Sequence, residues 1–177
     1  MSETMRDERG LWRKAAIAVP MIVIVGSLIG IVSNSGASDA WYAPLVKPDF
    51  QPPGWAFGAI WTALYTMMGI SLATILNEPE SPLRRRASAL FVAQLALNYA
   101  WSPIFFGGGM IDAGLLIICA IIALLVMTII TSWRIRPLAG ALLLPYLAWL
   151  CLAAALNFET GRLNPSADTA PLGIIGA

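Results

Sequence analysis

The sequence predicts an all-α membrane protein, a bundle of five transmembrane helices with a structured loop between the first two. Composition favours a membrane: 58% of the 177 residues are hydrophobic and 12% are charged, against about 25% charged residues in ordinary soluble domains. The number of apolar runs sets the helix count. Five runs reach the length of about 20 residues that a helix needs to cross a bilayer, and together they leave no room for a separate soluble domain.

The five helices are expected within one transmembrane domain, residues 1–177, with a flexible tail at 160–177. Their expected ranges are 11–33, 55–77, 87–106, 111–133 and 137–158. The first run could instead be a cleaved signal peptide, because charged residues precede it and small residues follow it. Its apolar stretch at 15–32 is longer than the about 7–15 residues of a signal-peptide core, so a retained helix is favoured.

The first connection, residues 34–54, is too long for a simple turn between helices. Its 21 residues exceed the about 12–15 beyond which a loop is usually functional or disordered. Trp41, Tyr42 and Phe50 argue against disorder, which is poor in aromatic residues. Asp39 can cap a short helix, and four prolines stiffen the backbone. We therefore expect a rigid aromatic lid over one mouth of the bundle.

Basic residues are distributed unevenly over the loops. Nine of the eleven fall on one side of the predicted membrane: Arg6, Arg9, Arg13, Lys14, Arg84, Arg85, Arg86, Arg134 and Arg136. The other side has Lys47 and Arg162. The positive-inside rule therefore predicts a cytoplasmic N-terminus, with the lid and the C-terminus outside. The choice between an inner and an outer membrane stays open.

Three predicted helices carry polar or aromatic side chains at intervals of three or four residues, which places them on one face of each helix. The stripes are Trp61, Tyr65 and Met68; Gln94, Asn98, Trp101 and Ser102; and Tyr146, Trp149, Ala153 and Asn157. Polar groups inside a membrane face a neighbouring helix or a cavity. The stripes therefore serve either as hydrogen-bonding contacts between helices or as the walls of an aromatic pocket.

Small residues form further helix faces that allow close approach. Gly26 and Gly30 lie on the first helix, and the third carries Ala89, Ala93, Ala96 and Ala100. Either face could serve packing within the bundle or a homodimer, and we prefer the third helix for a dimer. The sequence has no histidine, which removes the commonest metal ligand. We expect no metal site, no required cofactor and no nucleic acid partner.

Three blocks of residues resemble the TspO/translocator protein family, the tryptophan-rich sensory proteins. The first is "WY-x-x-L-x-KP-x-x-x-PP-x-W-x-F-x-x-x-W-x-x-LY-x-x-MG", from Trp41 to Gly69. The others are "AQLALNYAWSPIFFG" in the third helix and "PYLAWLCLAAALNF" in the fifth. The resemblance covers nearly all of residues 41–158 in order and spacing.

The resemblance implies a five-helix bundle, usually dimeric, that binds tetrapyrroles such as protoporphyrin IX and haem. It also implies sterols or drug-like ligands for some members. The family's pocket residues correspond here to Tyr42, Trp61, Asn98, Trp149 and Ala153. All except Tyr42 lie on the polar and aromatic stripes, which favours the pocket. We include Tyr65, Trp101, Tyr146 and Asn157 from the same stripes as candidate ligand-binding residues.

Two positions depart from the family pattern. Many members have a tryptophan at the start of the fourth helix, where this chain has Asp112 or Ala113, so one pocket wall is expected to differ. Asp112 suits the positive end of a helix dipole, with a proton relay as the alternative. The sterol motif of animal members needs a tyrosine where this chain has Phe158, so sterol specificity is not predicted.

The preferred function is tetrapyrrole binding and sensing, with the ligand held under the lid. The resemblance also implies two alternatives. One is light-dependent degradation of protoporphyrin IX, for which Trp61 and Trp149 would be the catalytic residues. The other is transport of porphyrin or sterol across the membrane. Lys47 is either a surface cation or a contact for a porphyrin propionate.

Overall fold

The computed structural model describes residues 3–36 and 39–175, with side chains described from residue 8 onward. Residues 37 and 38 of the expected lid, and 176 and 177 of the expected tail, lie outside that part. Secondary structure in the described residues is entirely helical. The helices are α1 (Glu3–Val32), α2 (Gly54–Asn77), α3 (Pro82–Ser102), α4 (Ile111–Ile135), α5 (Pro137–Ala141) and α6 (Leu144–Leu163). A π-helical turn, Pro103–Gly107, continues α3.

Five segments of the described chain are long and apolar enough to cross a membrane. Four are α1, α2, α3 with its π-helical turn, and α4; the fifth is formed by α5 and α6 together, Pro137–Leu163. Between α5 and α6 the backbone makes a turn, and Pro145 at the start of α6 needs no hydrogen-bond partner for its nitrogen. The protein is therefore an integral, multi-pass membrane protein of five spans.

Several helices extend beyond the apolar runs that predicted them. The third helix was expected to begin at residue 87 but begins at Pro82, because Ser81 caps it by accepting a hydrogen bond from the Arg84 backbone N–H at 3.1 Å. Likewise, α1 begins at Glu3 and α6 continues to Leu163. Helical hydrogen bonding does not require an apolar surrounding, so apolar length marks the membrane part of a helix rather than its ends.

The end of the bundle that carries the α2–α3 and α4–α5 connections is closed. Gly69 of α2 lies against α1 so tightly that a Cβ there would be 2.6 Å from the Val19 Cα. Ser71 donates a hydrogen bond to the Ala139 carbonyl oxygen at 2.7 Å, and Arg136 pairs with Glu78 at 2.9 Å. Large apolar side chains fill the space between the helices: Leu72, Ile75, Phe91, Leu125 and Leu143. We call this part the closed end.

The opposite end carries the 34–54 loop, the α3–α4 turn and the C-terminal segment, and we call it the covered end. In the loop, the Asp39 carboxylate accepts hydrogen bonds from the backbone N–H groups of Trp41 (3.0 Å) and Tyr42 (2.7 Å). It thereby caps a turn over residues 40–45 rather than the short helix that was expected. Residues 39–53 of the loop lie over the mouth of the bundle, and we call them the lid.

The C-terminal segment differs from the flexible tail that we expected. Residues 160–163 complete α6, and residues 164–175, which we call the tail, fold back over the covered end. Ile175 is buried against Phe105 and Ile111. The tail contains prolines, glycines and small polar residues, which are typical of flexible segments. It is held by contacts with distant parts of the chain, which its own composition does not reveal.

Candidate functional site

A cavity of about 940 Å³ lies at the covered end, between the helices and the lid. This volume is near the upper limit of the roughly 300–1,000 Å³ typical of small-molecule sites. Eight of the nine predicted ligand-binding residues line it: Tyr42, Trp61, Tyr65, Asn98, Trp101, Trp149, Ala153 and Asn157. These residues come from three helices, α2, α3 and α6, and from the lid, and the fold brings them together around one space.

Aromatic side chains form most of one wall. Trp61 and Trp149 meet edge to face, with ring centroids 6.3 Å apart, and Trp61 lies 5.0 Å from Tyr65. Phe57 supports Trp149 from the other side at 5.6 Å. These rings pack in the tilted and edge-to-face geometries that aromatic pairs prefer, so the wall is held in place without a ligand.

A second aromatic group lines the cavity where α3 continues into its π-helical turn. Trp101 stacks on Phe105 at 4.7 Å with an interplanar angle of 15°, and Phe106 packs edge to face against Tyr42 of the lid at 5.1 Å. The π-helical turn brings both phenylalanines toward the lid. A regular α-helical pattern does not predict this turn, which is why sequence reasoning missed both residues.

Asn98 is the centre of a hydrogen-bonded network in the bundle. Its Oδ1 accepts a hydrogen bond from the Tyr65 hydroxyl at 3.0 Å, and its Nδ2 donates to the Tyr146 hydroxyl oxygen at 2.9 Å. Tyr146 is fully buried and is the one predicted residue that does not line the cavity. It lies behind Trp61, with ring centroids 6.2 Å apart, so its role is to support the wall.

Three buried polar atoms of cavity-lining residues have no hydrogen-bond partner within the described part of the chain. They are the indole N–H groups of Trp101 and Trp149 and the Oδ1 of Asn157. The Asn157 amide is fixed in orientation, because its Nδ2 donates to the Ile111 carbonyl oxygen at 2.9 Å. Unpaired polar groups are costly in an apolar surrounding. The three atoms are themselves buried, so they do not lie on the surface of the cavity, although other atoms of the same residues do.

Gln94 was expected to point into the bundle beside Asn98. Its side chain is fully buried, yet it does not line the cavity, and neither amide atom has a partner among the described residues. Gln94 precedes Asn98 by one helical turn toward the closed end, where the helices are packed together. A shared helix face therefore does not imply a shared cavity.

Lys47 is the only charged residue among the described residues that line the cavity. Its Nζ donates to the backbone carbonyl oxygens of Tyr42 (2.6 Å), Leu45 (2.7 Å) and Ala43 (3.2 Å). An ammonium group has three donors, so all three are used within the lid. Nζ also lies 4.3 Å from the centre of the Tyr42 ring, and burial lowers the pKa of Lys47. Lys47 thus holds the lid turn together.

Tyr42 connects the two parts of the lid. Its hydroxyl donates to Gln51 Oε1 at 2.8 Å. Burial raises the pKa of Tyr42, with a smaller opposing effect from the Gln51 hydrogen bond, so the phenol stays protonated at neutral pH. The ring faces the cavity while the hydroxyl ties residue 42 to residue 51.

Sequence reasoning also missed the contribution of glycine to the cavity. A Cβ on Gly26 would lie 2.2 Å from Cε2 of Tyr65, so this position seats the tyrosine ring. Gly30 and Gly58 line the cavity with open space where a side chain would be. The sequence pattern of Gly26 and Gly30 suggested helix association, and the structure uses Gly26 inside the bundle.

Comparison with known proteins agrees with this architecture. A sequence model of the TspO/MBR family matches residues 16–163. The chain belongs to the TspO/MBR family. The match includes the lid and all nine predicted site residues, whereas the tail, residues 164–175, lies beyond it.

Several members of this family are similar to this chain over most of their own length. Tryptophan-rich protein TspO of Archaeoglobus fulgidus is 38% identical over 148 residues, which cover 84% of this chain and 95% of that protein. Protein CrtK of Rhodobacter capsulatus is 37% identical over 127 residues, 71% of this chain and 79% of the relative. The human translocator protein is 34% identical over 142 residues, which cover 79% of this chain and 84% of the human protein.

The departure from the family pattern at the start of the fourth helix has a structural outcome. We expected Asp112 or Ala113 to alter a cavity wall, but neither lines the cavity. Asp112 instead faces the tail and accepts hydrogen bonds from three of its backbone N–H groups. The aspartate therefore does more than complement the helix dipole.

Proposed function

We propose that this protein binds and senses tetrapyrroles, protoporphyrin IX or haem, in the cavity beneath the lid. The observation that carries the proposal is a preformed cavity of about 940 Å³ whose walls carry Trp61 and Trp149. A porphyrin is flat and largely apolar, so it suits aromatic walls through dispersion and stacking. A relative in Cereibacter sphaeroides is named tryptophan-rich sensory protein, which supports the sensing part of the proposal.

The mode of binding follows from the side chains that are present. Because the chain has no histidine, the most common axial ligand of haem iron is missing. Stacking on the indole rings does not require a metal. Iron-free protoporphyrin IX is therefore expected to bind about as well as haem.

The proposal includes an orientation and an assembly. Charge asymmetry favours a cytoplasmic N-terminus, which places the lid and the tail on the outer side. The third helix exposes Ala89, Ala93 and Ala96, and small residues allow close packing with a second copy.

The test is a titration of the purified protein with protoporphyrin IX, followed by quenching of tryptophan fluorescence. Replacing Trp61 or Trp149 singly by phenylalanine should weaken binding by about two- to tenfold, since an aromatic contact contributes about 0.5–1.5 kcal/mol beyond its buried area and phenylalanine offers a smaller ring. Trp133→Phe is the matched control, because Trp133 is exposed near the closed end. Equal affinities for all three variants and the parent protein would contradict binding in this cavity.

Light-dependent degradation of protoporphyrin IX is a second candidate, favoured by the presence of two indole rings in the same cavity wall. Trp61 and Trp149 both line the cavity, with ring centroids 6.3 Å apart. An illuminated porphyrin and molecular oxygen would generate a reactive species next to two oxidisable indoles, with the cavity supplying proximity. Illumination in air should yield one defined product that is lost in Trp149→Phe. Bleaching equal to that of free porphyrin would leave binding and sensing as the function.

A further inference from the structure

The tail connects three separate parts of the covered end. It contacts the start of α4 through Asp112, the α3–α4 turn through Thr169, and the lid through Asn164 and Ala167. Thr169 donates its hydroxyl to the Gly108 carbonyl oxygen at 2.5 Å and its backbone N–H to the Gly109 carbonyl oxygen at 3.1 Å. Gly109 has a φ of +64°, and a Cβ there would lie 2.8 Å from Thr169 Cγ2. The turn is thus shaped to receive the tail.

Asp112 is the anchor of the tail. Its Oδ2 accepts hydrogen bonds from the backbone N–H groups of Leu172 (2.8 Å) and Ile174 (3.1 Å), and its Oδ1 accepts one from Ile175 (3.2 Å). The residue is only 3% exposed. Hydrogen bonds to a buried carboxylate are among the stronger ones in proteins, and here they are made to backbone groups.

The tail also supplies a carboxylate, that of Asp168, to the first turn of α4. Asp168 Oδ2 accepts a hydrogen bond from the Asp112 backbone N–H at 2.8 Å, and its Oδ1 accepts one from Ala170 N–H at 2.9 Å. The first turn of α4 has no cap from its own N-cap residue, Met110, so Asp168 supplies one from 56 positions along the chain. Helix and tail therefore stabilise each other reciprocally.

Apolar packing completes the anchor. Ile175 is 7% exposed and contacts the Phe105 and Ile111 cluster. A Cβ on Gly161 would lie 2.9 Å from Ile175 Cδ1, so glycine at this position of α6 leaves room for the isoleucine. Phe105 also packs against Trp41 of the lid at 5.5 Å, which links this cluster to the cover of the cavity.

The tail is attached to the outer side of the lid. Asn164 makes a paired contact with the Val46 backbone: its Oδ1 accepts from Val46 N–H and its Nδ2 donates to Val46 O, both at 2.9 Å. The Trp41 indole N–H donates to the Ala167 carbonyl oxygen at 3.0 Å. The inner side of the same lid, including Tyr42 and Lys47, lines the cavity. The lid therefore lies between the tail and the ligand site.

We infer that the tail is a strap that holds the lid closed over the cavity, and that Asp112 is its anchor. Asp112 is a positioning residue, since it acts on the cavity only through the tail and the lid. A ligand beneath the lid leaves when the lid opens, and opening breaks the Asn164 and Ala167 contacts. Loosening the strap should therefore accelerate ligand release, with little change in the aromatic walls. The statement about ligand release rests on the proposed function; the statement about the lid does not.

The first test measures the lid without any ligand, by amide hydrogen exchange in detergent micelles. The reporters are the N–H groups of Tyr42 and Ala43, which bond to Asp39 within the lid and do not touch the tail. Asp112→Asn replaces one acceptor oxygen by a donor, and exchange at these reporters should rise by about tenfold or more. Leu172→Ala is the control, because the side chain is 57% exposed and its backbone N–H is retained.

If Asp112→Asn does not fold, a second variant that lacks residues 171–177 takes its place. Circular dichroism measures the helix content of both variants. Faster exchange at Leu172 and Ile174 without any change at Tyr42 and Ala43 would overturn the strap, because the lid would then hold itself closed. Unchanged exchange at the tail amides in Asp112→Asn would overturn the anchor.

The second test measures release of protoporphyrin IX from the same variants by recovery of tryptophan fluorescence. The dissociation rate should rise by about tenfold in Asp112→Asn and stay at the parent value in Leu172→Ala. Porphyrin that does not bind the parent protein would refute the proposed function and leave the exchange result for the strap intact. A loosened lid with an unchanged dissociation rate would refute the link between strap and ligand while binding itself stands.

Discussion

The closed end and the covered end of the bundle are built from the same helices but organised differently. At the closed end, large apolar side chains fill the space between helices, and Phe91 and Leu125 are fully buried. At the covered end the helices surround a cavity of about 940 Å³, which is covered by the lid rather than filled by packed side chains. Close packing is thus found at one end of the bundle, and the cavity lies at the other.

Buried polar groups do not separate the two ends in the same way. Ser71 bonds to the Ala139 carbonyl oxygen at the closed end, but Ser132 Oγ at that end has no partner among the described residues. At the covered end the indole N–H of Trp149 and the Oδ1 of Asn157 have none either. The two ends therefore differ in how their side chains pack rather than in the pairing of buried polar groups.

The largest expected effect is that of a large cavity made at the closed end. Phe91→Ala should lower the free energy of unfolding by about 3–5 kcal/mol, as for other buried aromatic residues. The measurement is unfolding in mixed detergent micelles. Phe57→Ala, on the cavity wall, should cost less than half as much because the space beside Phe57 is already empty. Equal costs for the two variants would contradict the division into two ends.

The next largest effect on stability is expected when two glycines of α2 are replaced, one at a time, by alanine. Gly69→Ala places a Cβ 2.6 Å from the Val19 Cα and should destabilise the protein by about 1–3 kcal/mol through overpacking. Gly58→Ala meets no atom within 4 Å and should be neutral or slightly stabilising, since alanine is the better helix former. Thermal unfolding of both variants checks the prediction, and a Gly58→Ala variant as unstable as Gly69→Ala would refute it.

A smaller effect is expected from the charge of the ligand. Lys47 is the only charged residue among the described cavity walls, and its donors are committed to lid carbonyl oxygens. Protoporphyrin IX and its dimethyl ester should therefore bind within about threefold of each other, because a committed ammonium group adds little attraction near water. Fluorescence titration of both ligands at two salt concentrations measures this. A large, salt-dependent preference for the free acid would instead assign Lys47 to the propionates.

The smallest effect is expected from pH at the lid. The pKa of Tyr42 is raised by burial above its ordinary value of 10.0, so the closed lid favours the neutral phenol. Its contribution to closure is present below pH 10.0 and is lost as pH rises through the raised pKa. Comparing the tyrosine absorbance titrations of the parent protein and Tyr42→Phe should show the loss of one group that titrates above its ordinary pKa. A Tyr42 that titrates at its ordinary pKa would show that the lid does not bury it.

Much of the candidate site could be predicted from single residues. Trp61, Asn98 and Trp149 occupy helix positions that both periodicity and family resemblance single out, and all three line the cavity. Tyr146 shares its helix face with Trp149 but lies behind Trp61, because a helix face is wider than the part of it that borders a cavity. Phe105 and Phe106 required knowledge of a π-helical turn, and Gly26 required knowledge of the ring that packs against it.

The sequence by itself determined the five spans, the aromatic character of the first loop and the residues able to line a pocket. Apolar length and helical periodicity act locally, so they can be read along the chain. Only the tertiary structure decided what Asp112 and the tail do. The hydrogen bonds between Asp112 and the tail join residues 56 to 63 positions apart, and those between the tail and the lid join residues 118 or 126 positions apart. Backbone N–H groups carry no sequence signature, and therefore nothing in the residues 164–175 themselves reveals that a buried carboxylate holds them.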